Sequence, residues 1–301
     1  MRSAARRAIK SSGRKLLTGT GRLVLEATIP SLENAIRDID AFGLYLHIPF
    51  CHQICPYCPY NKVIYHPEMA QGYTQAVLGE IDIYAALVGK RPVTSFYIGG
   101  GTPTTMLYSG LDRILDHVFN RFNMKCGIHM ESHPNDLSRD NLNAILSMGV
   151  DHLSIGVEAL QDHHLRTLHR PYTVAQVKKA LQRAVGKHFK CVNADLIFAL
   201  PNQTVTEIAQ AGHALVQIGV DQVAAYPLFE LPYTRWAEIR KRSSSKKPGI
   251  FKRRHMLRAL EAIFYAAGFE RTSVWAFTRA GVPRYCSVTV PLYIGLGASG
   301  G

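Results

Sequence analysis

Residues 43–58 read GLYLHIPFCHQICPYC. The first half, Gly43 to Ile48, is short, apolar and rich in β-formers, and it predicts a strand. The second half places Cys51, Cys55 and Cys58 as CxxxCxxC on the loop directly after that strand. Thiolates are soft ligands suited to iron–sulfur clusters and to zinc. Three of them on one short loop can hold three corners of a cube-shaped cluster and leave the fourth iron open to a small molecule. A structural zinc ion would need a fourth ligand, for which His47 or His52 is at hand. No fourth cysteine follows closely, because the position after Pro59 is Tyr60.

Downstream of this loop, strand-like runs alternate with segments of helical period. Ser95 to Gly99, Gly127 to Glu131, His152 to Val157, Val192 to Phe198 and Gln222 to Leu228 complete a set of six strands with the first. Tyr73 to Leu87, Leu111 to Phe122, Val174 to Val185 and Ile208 to Ile218 carry apolar residues at helical spacing. Parallel strands need such crossovers, so the order implies a parallel α/β sheet, either doubly wound and open or an incomplete barrel. In both, ligands gather at the carboxyl ends of the strands. Arg240 to Gly249, with three serines, a proline and a glycine, reads as an exposed linker, and a last helix runs from about Phe251 to Ala267. Gly295 to Gly301 reads as an apolar, glycine-rich turn. That ending carries the expectation that the chain is a fragment lacking its C-terminal region.

Several polar motifs sit at those strand ends. Gly99, Gly100, Gly101, Thr102 and Pro103 follow the second strand, and a loop of free amides there would suit a carboxylate or amine-bearing ligand. Glu131 ends the third strand, where a carboxylate points to the ligand face of a barrel; a surface salt bridge is the plainer alternative. Glu158 ends the fourth. Arg170 and Asp195 follow, and by themselves they could be an ordinary ion pair.

The run Tyr45 to Cys51 resembles the start of the cluster loop in the radical S-adenosylmethionine superfamily, nearest to its oxygen-independent coproporphyrinogen III oxidase group. Tyr57 stands where that superfamily expects an aromatic, and the resemblance extends from about Gly43 to Gly301. It implies an α/β fold, an incomplete (β/α)6 barrel of parallel strands, in which Cys51, Cys55 and Cys58 bind a 4Fe-4S cluster. It implies S-adenosylmethionine, one molecule or two, held by Tyr45, Tyr57, Gly100, Gly101, Thr102 and Glu131. Glu158, Arg170, Asp195 and Phe229 would line the pocket for the cofactor or a second copy of it. The family usually has glutamine at the position of Glu158, and an ionised glutamate cannot donate a hydrogen bond. The implied activity is cleavage of S-adenosylmethionine to a deoxyadenosyl radical that oxidises a porphyrinogen, with an electron donor such as flavodoxin or ferredoxin. Related groups transfer methyl groups or perform other radical modifications, open the haem ring, or act as haem chaperones. The chaperones share an aromatic residue at the position of Tyr60, but carry a His-Asn-x-x-Tyr motif where this chain reads Tyr285 to Val290 without it.

Composition bounds the rest. Of 301 residues, 47% are apolar and 19% charged, which permits a sizeable core and argues against global disorder. No apolar run reaches the roughly 20 residues of a membrane helix. Net charge is +13 and concentrates in residues 1–25, with seven Lys or Arg and no acid, and in residues 240–254, with eight more. These runs are solvated segments or attract an anionic partner such as a polycarboxylate. No nucleic-acid motif accompanies them. The basic N-terminus fits a bacterial leader or an organelle transit peptide, and the scattered Cys126, Cys191 and Cys286 read as buried thiols in a reducing, cytoplasmic setting. The expected organisation is a basic leader over 1–40, a partial barrel over 41–235, and a linker, helix and start of a C-terminal region over 236–301.

Overall fold

The computed structural model describes residues 39–242, 247–286, 290, 292–298 and 300. The basic run of residues 1–25 and the serines at 243–245 lie outside them. Six parallel strands form the frame: β1 (Phe42–Ile48), β2 (Pro92–Gly100), β3 (Ile128–Ser132), β4 (Val150–Glu158), β5 (Cys191–Phe198) and β6 (Gln222–Pro227). Three shorter strands follow, β7 (Phe269–Arg271), β8 (Ala276–Arg279) and β9 (Tyr293–Leu296). The sheet runs β7-β8-β6-β5-β4-β3-β2-β1-β9. The six main strands therefore lie side by side in chain order, each parallel to the last. A doubly wound sheet would reverse direction at a switch point. Winding one way only makes an incomplete barrel, open because β9 and β7 are edges.

Eight helices are described: α1 (Pro67–Val88), α2 (Leu111–Arg121), α3 (Arg139–Ser147), α4 (Asp162–Thr167), α5 (Val174–Val185), α6 (Val205–Ile218), α7 (Arg235–Arg242) and α8 (Ile250–Ala266). Their starts are written locally. Thr173 with Gln176 and Thr204 with Glu207 form reciprocal capping boxes that satisfy the first free amides of α5 and α6. Gly219, at φ +89°, ends α6 in a left-handed turn that a side chain would resist.

The barrel strands carry apolar side chains on one face and most of their polar ones on the other, both faces being largely buried. On β1, Phe42, Leu44, Leu46 and Ile48 are fully covered on one face, while Tyr45 and His47 belong to the other. On β5, Val192, Ala194, Leu196 and Phe198 are buried as the apolar face, and Asn193 and Asp195 belong to the opposite one. Each large apolar side chain so covered contributes roughly 1.5–3 kcal/mol. The other face is polar and forms the cavity described below.

The C-terminal part departs from expectation. Gly295 and Leu296 are not a turn: β9 pairs in parallel with β1, and Gly295 lies opposite Tyr45. Arg240 to Arg242, read as linker, are the last turn of α7, whose Trp236 is buried and donates its amide to the Pro56 carbonyl at 2.9 Å. β8 adds antiparallel to β6, and Gly212 lets α6 approach Leu260 of α8 closely. These segments extend the barrel's sheet and helix layer. Short elements with few apolar positions carry little periodic signal, which is why β7 to β9, α3 and α4 escape a sequence reading.

Candidate active site at the cluster loop

The carboxyl ends of the strands enclose one cavity of about 440 Å³. Cys51, Cys55 and Cys58 line it together with Tyr57, Gly100, Gly101, Thr102, Glu131, Glu158, Arg170, Asp195 and Phe229. One expected site residue is absent from that lining. Tyr45 turns its hydroxyl to His47 Nδ1 at 3.0 Å and stacks on Tyr97, with ring centroids 6.0 Å apart. Through Tyr97, a lining residue, it contributes to the wall.

No disulfide joins any of the six cysteines. The sulfurs of the loop are already addressed by donors: Arg170 Nη1 donates to Cys55 Sγ at 3.2 Å, and Thr102 Oγ1 to Cys51 Sγ at 3.6 Å. Among the described residues, the three sulfurs do not gather within 4.8 Å of one another as ligands of one ion would, whereas a tetrahedral zinc would hold its sulfurs about 3.8 Å apart. His47 is lost as a fourth zinc ligand, because Nε2 contacts the Asn61 carbonyl at 2.9 Å and Nδ1 the Tyr45 hydroxyl. Three soft ligands on one loop fit a cluster of several irons. Burial pushes the Cys58 thiol up to about 11 and raises Cys51 as well, so metal binding there must displace protons.

The glycine loop works differently from expectation. Its amides are not free. Gly100 N donates to Glu131 Oε2 at 3.1 Å, Gly101 N to the Ile48 carbonyl at 2.7 Å and Thr102 N to the Phe50 carbonyl at 2.8 Å. The glycines are there for closeness. A Cβ on Gly101 would stand 2.7 Å from the Phe50 oxygen, and one on Gly100, at φ +116°, would stand 2.8 Å from the His47 ring. The loop thus clamps the cluster loop and orients a carboxylate.

Three carboxylates converge from successive strands. Glu131 on β3 accepts from Tyr97 Oη at 2.6 Å, and burial raises its pKa against that bond. Glu158 closes β4 after a register shift, at φ +65°, a left-handed backbone unusual for glutamate. Its Oε1 lies 3.3 Å from Arg170 Nη2. Arg170 is fixed by donating to the Gly156 carbonyl at 2.9 Å and to Tyr172 Oη at 2.6 Å. Asp195 on β5 accepts from Ser154 Oγ at 2.8 Å and Asn193 Nδ2 at 2.9 Å. Burial first, then the Glu158 charge, pushes Asp195 up to about 7. Gln222 on β6 extends the network, donating to Asn193 Oδ1 at 3.2 Å. Phe229 lies beyond the sixth strand, which ends at Pro227, and is 50% exposed at the cavity.

Tyr97, Ser154, Asn193, Gln222 and Tyr172 were not singled out by sequence. Alternation hinted only at Asn193, two residues before Asp195 on the same strand. The lining also revises the charge argument. No described residue of the basic run 240–254 lines the cavity, whose acids Glu131, Asp136, Glu158 and Asp195 outnumber Lys62 and Arg170. The site suits a ligand with positive groups, such as an ammonium or a sulfonium.

The fold and this donor set define an iron–sulfur barrel. The chain belongs to the radical SAM superfamily, whose family model matches residues 45–215. It is similar to the haem chaperone HemW of Bacillus subtilis, 26% identical over 260 residues, covering 84% of this chain and 69% of that protein. It is also similar to the oxygen-independent coproporphyrinogen III oxidase of Salmonella typhimurium, 28% identical over 240 residues, covering 79% of this chain and 52% of that one. Among solved structures it resembles the coproporphyrinogen III oxidase HemN of Escherichia coli, a radical SAM enzyme, with a TM-score of 0.78 and 25% identity over 84% of this chain and 59% of the other. The chain thus spans from about half to about two thirds of the length of these relatives. No helix among the described residues is long and apolar enough to cross a membrane.

Proposed function

We propose that Cys51, Cys55 and Cys58 hold a 4Fe-4S cluster, that S-adenosylmethionine binds beside it, and that the chain is a radical oxidoreductase of the coproporphyrinogen III oxidase type, acting on a porphyrinogen-class small molecule. The observation that carries this reading is the meeting, in one cavity, of three thiols with the partly buried carboxylates of Glu131, Glu158 and Asp195 and the partly buried guanidinium of Arg170. When bound, the cluster and its cofactor supply the electron transfer and the deoxyadenosyl radical. The protein's own residues do the positioning. Glu131, held by Tyr97 and Gly100, receives the cofactor's ammonium group. Arg170 donates to a cluster sulfur and pairs with Glu158, so it couples the loop to the cavity floor. Asp195, with Ser154 and Asn193, offers a hydrogen-bonding edge to a ribose or to a second cofactor molecule. Tyr57 Oη is buried without a hydrogen-bond partner, a polar atom that a ligand would satisfy. A flavodoxin or ferredoxin would deliver the electron, in a cytoplasmic setting.

Haem carriage is the second reading. It is favoured by the similarity to HemW and by Tyr60, 62% exposed where it lines the cavity. Anaerobically reconstituted protein with dithionite should release 5′-deoxyadenosine from S-adenosylmethionine, and Cys55→Ala should abolish both the brown cluster absorption and the product. Zinc in place of iron, or no cleavage, would sink the enzymatic reading, and haem retained through gel filtration would then favour the carrier. Cleavage without decarboxylation of coproporphyrinogen III would leave a radical enzyme with another substrate.

A further inference from the structure

A second cluster of ligating side chains lies outside the cavity. His163 and His164, in the first turn of α4, meet Glu207 in the first turn of α6. His164 is only 2% exposed, yet neither ring nitrogen has a hydrogen-bond partner. Its Nε2 stands 3.5 Å from Glu207 Oε2, outside hydrogen-bonding geometry. An idle buried polar atom costs about 1–3 kcal/mol, and it calls for a water or an ion. His163, 56% exposed in its side chain, places Nε2 at 2.9 Å from Glu207 Oε1. The two rings lie 4.0 Å apart at 46°, and one ligand atom from each of the three residues falls within 4.8 Å of the others.

We propose that His163, His164 and Glu207 form a three-ligand site for a divalent zinc-class cation that pins α4 to α6, with a fourth position open to water. Zinc bonds of about 2.0–2.1 Å bring ligand atoms to about 3.3 Å from one another; here the histidine Nε2 atoms stand 2.9 Å from Oε1 and 3.5 Å from Oε2 of Glu207, close enough for a small shift to gather them. The carboxylate is held for the task. Thr204 donates its amide and its hydroxyl to Glu207 Oε2 at 2.7 and 2.8 Å, and Gln161 Nε2 donates to the Glu207 carbonyl at 2.8 Å. Such outer contacts orient metal ligands. The side of His163 exposed to solvent gives the ion a way in. The other His–Asp–His group, His129, Asp151 and His152, is closed by a resident cation: Lys190 Nζ and His152 Nδ1 already occupy both Asp151 oxygens at 2.8 and 2.7 Å. α4 leads directly into Arg170, whose amide donates to Leu165 at 2.9 Å, so the ion would brace the segment that carries the cavity's guanidinium.

The test uses the full chain with its iron–sulfur cluster loaded anaerobically, stripped with a chelator and titrated with zinc. One zinc per chain should survive desalting, and its K-edge absorption should show nitrogen and oxygen scatterers only. His163→Gln, at an exposed position, and Glu207→Gln should each weaken zinc binding by at least about tenfold. Zinc should also raise the melting temperature of the wild type and not of His163→Gln. Sulfur scatterers, uptake unchanged by both variants, or no retained zinc would overturn the proposal. None of these readouts depends on cleavage of S-adenosylmethionine, so the two proposals fail separately.

Discussion

Asp195 shows how one residue's chemistry is made by its surroundings. Its ordinary pKa of 3.8 rises to about 7 because burial and the nearby Glu158 charge oppose ionisation more than Ser154 and Asn193 support it. Between those values the folded protein binds a proton that the unfolded chain has released. Stability is therefore complete below pH 4, declines as pH rises, and is flat again above about 7. Asp195→Asn removes this titration and keeps one of the two acceptor oxygens that Ser154 and Asn193 address. In cofactor-free protein the variant should gain on the wild type from pH 4 to pH 8, on the order of 4 kcal/mol at most by the size of the shift. Urea unfolding at the two pH values checks this, and equal pH slopes for both proteins would show that Asp195 ionises normally. The position of Asp195 at a strand end was readable in sequence. Its unusual acidity was not, because the second carboxylate responsible stands 37 residues away in the chain, on another strand.

At the scale of elements, the six main strands and the five long helices were legible, since apolar residues on one face of a half-buried element repeat with a fixed period. What sequence misread was the role of the glycine loop after β2. Free amides were expected, but a loop packed against Pro49 and Phe50 gives its amides to that backbone and to Glu131. Gly101→Ala tests the packing account. Its Cβ would meet the Phe50 oxygen at 2.7 Å and the Pro49 carbonyl carbon at 2.8 Å. Backbone atoms cannot step aside as a flexible side chain can, so the variant should lose roughly 2–4 kcal/mol of stability and bind less iron after reconstitution. Full iron content and an unchanged unfolding midpoint would show that the two loops are not clamped.

For the whole molecule, strand order decides both rigidity and the site. β3, β4 and β5 are flanked on both sides, while β7 and β9 are edges. Amide hydrogen exchange should be slowest at residues such as Leu153 and Val192 and faster by orders of magnitude across Phe269–Arg271; uniform protection would contradict this order. The sequence by itself determined the soft-ligand loop and the one-after-another parallel layout, because cysteine spacing and hydrophobic period are properties of neighbouring residues. Only the tertiary structure decided that Tyr45 turns its hydroxyl to His47, that Tyr97 holds Glu131 from 34 positions away, and that Arg170 reaches Cys55 across 115. Those contacts join residues that meet only when the strands curl side by side, so no local pattern in the chain encodes them.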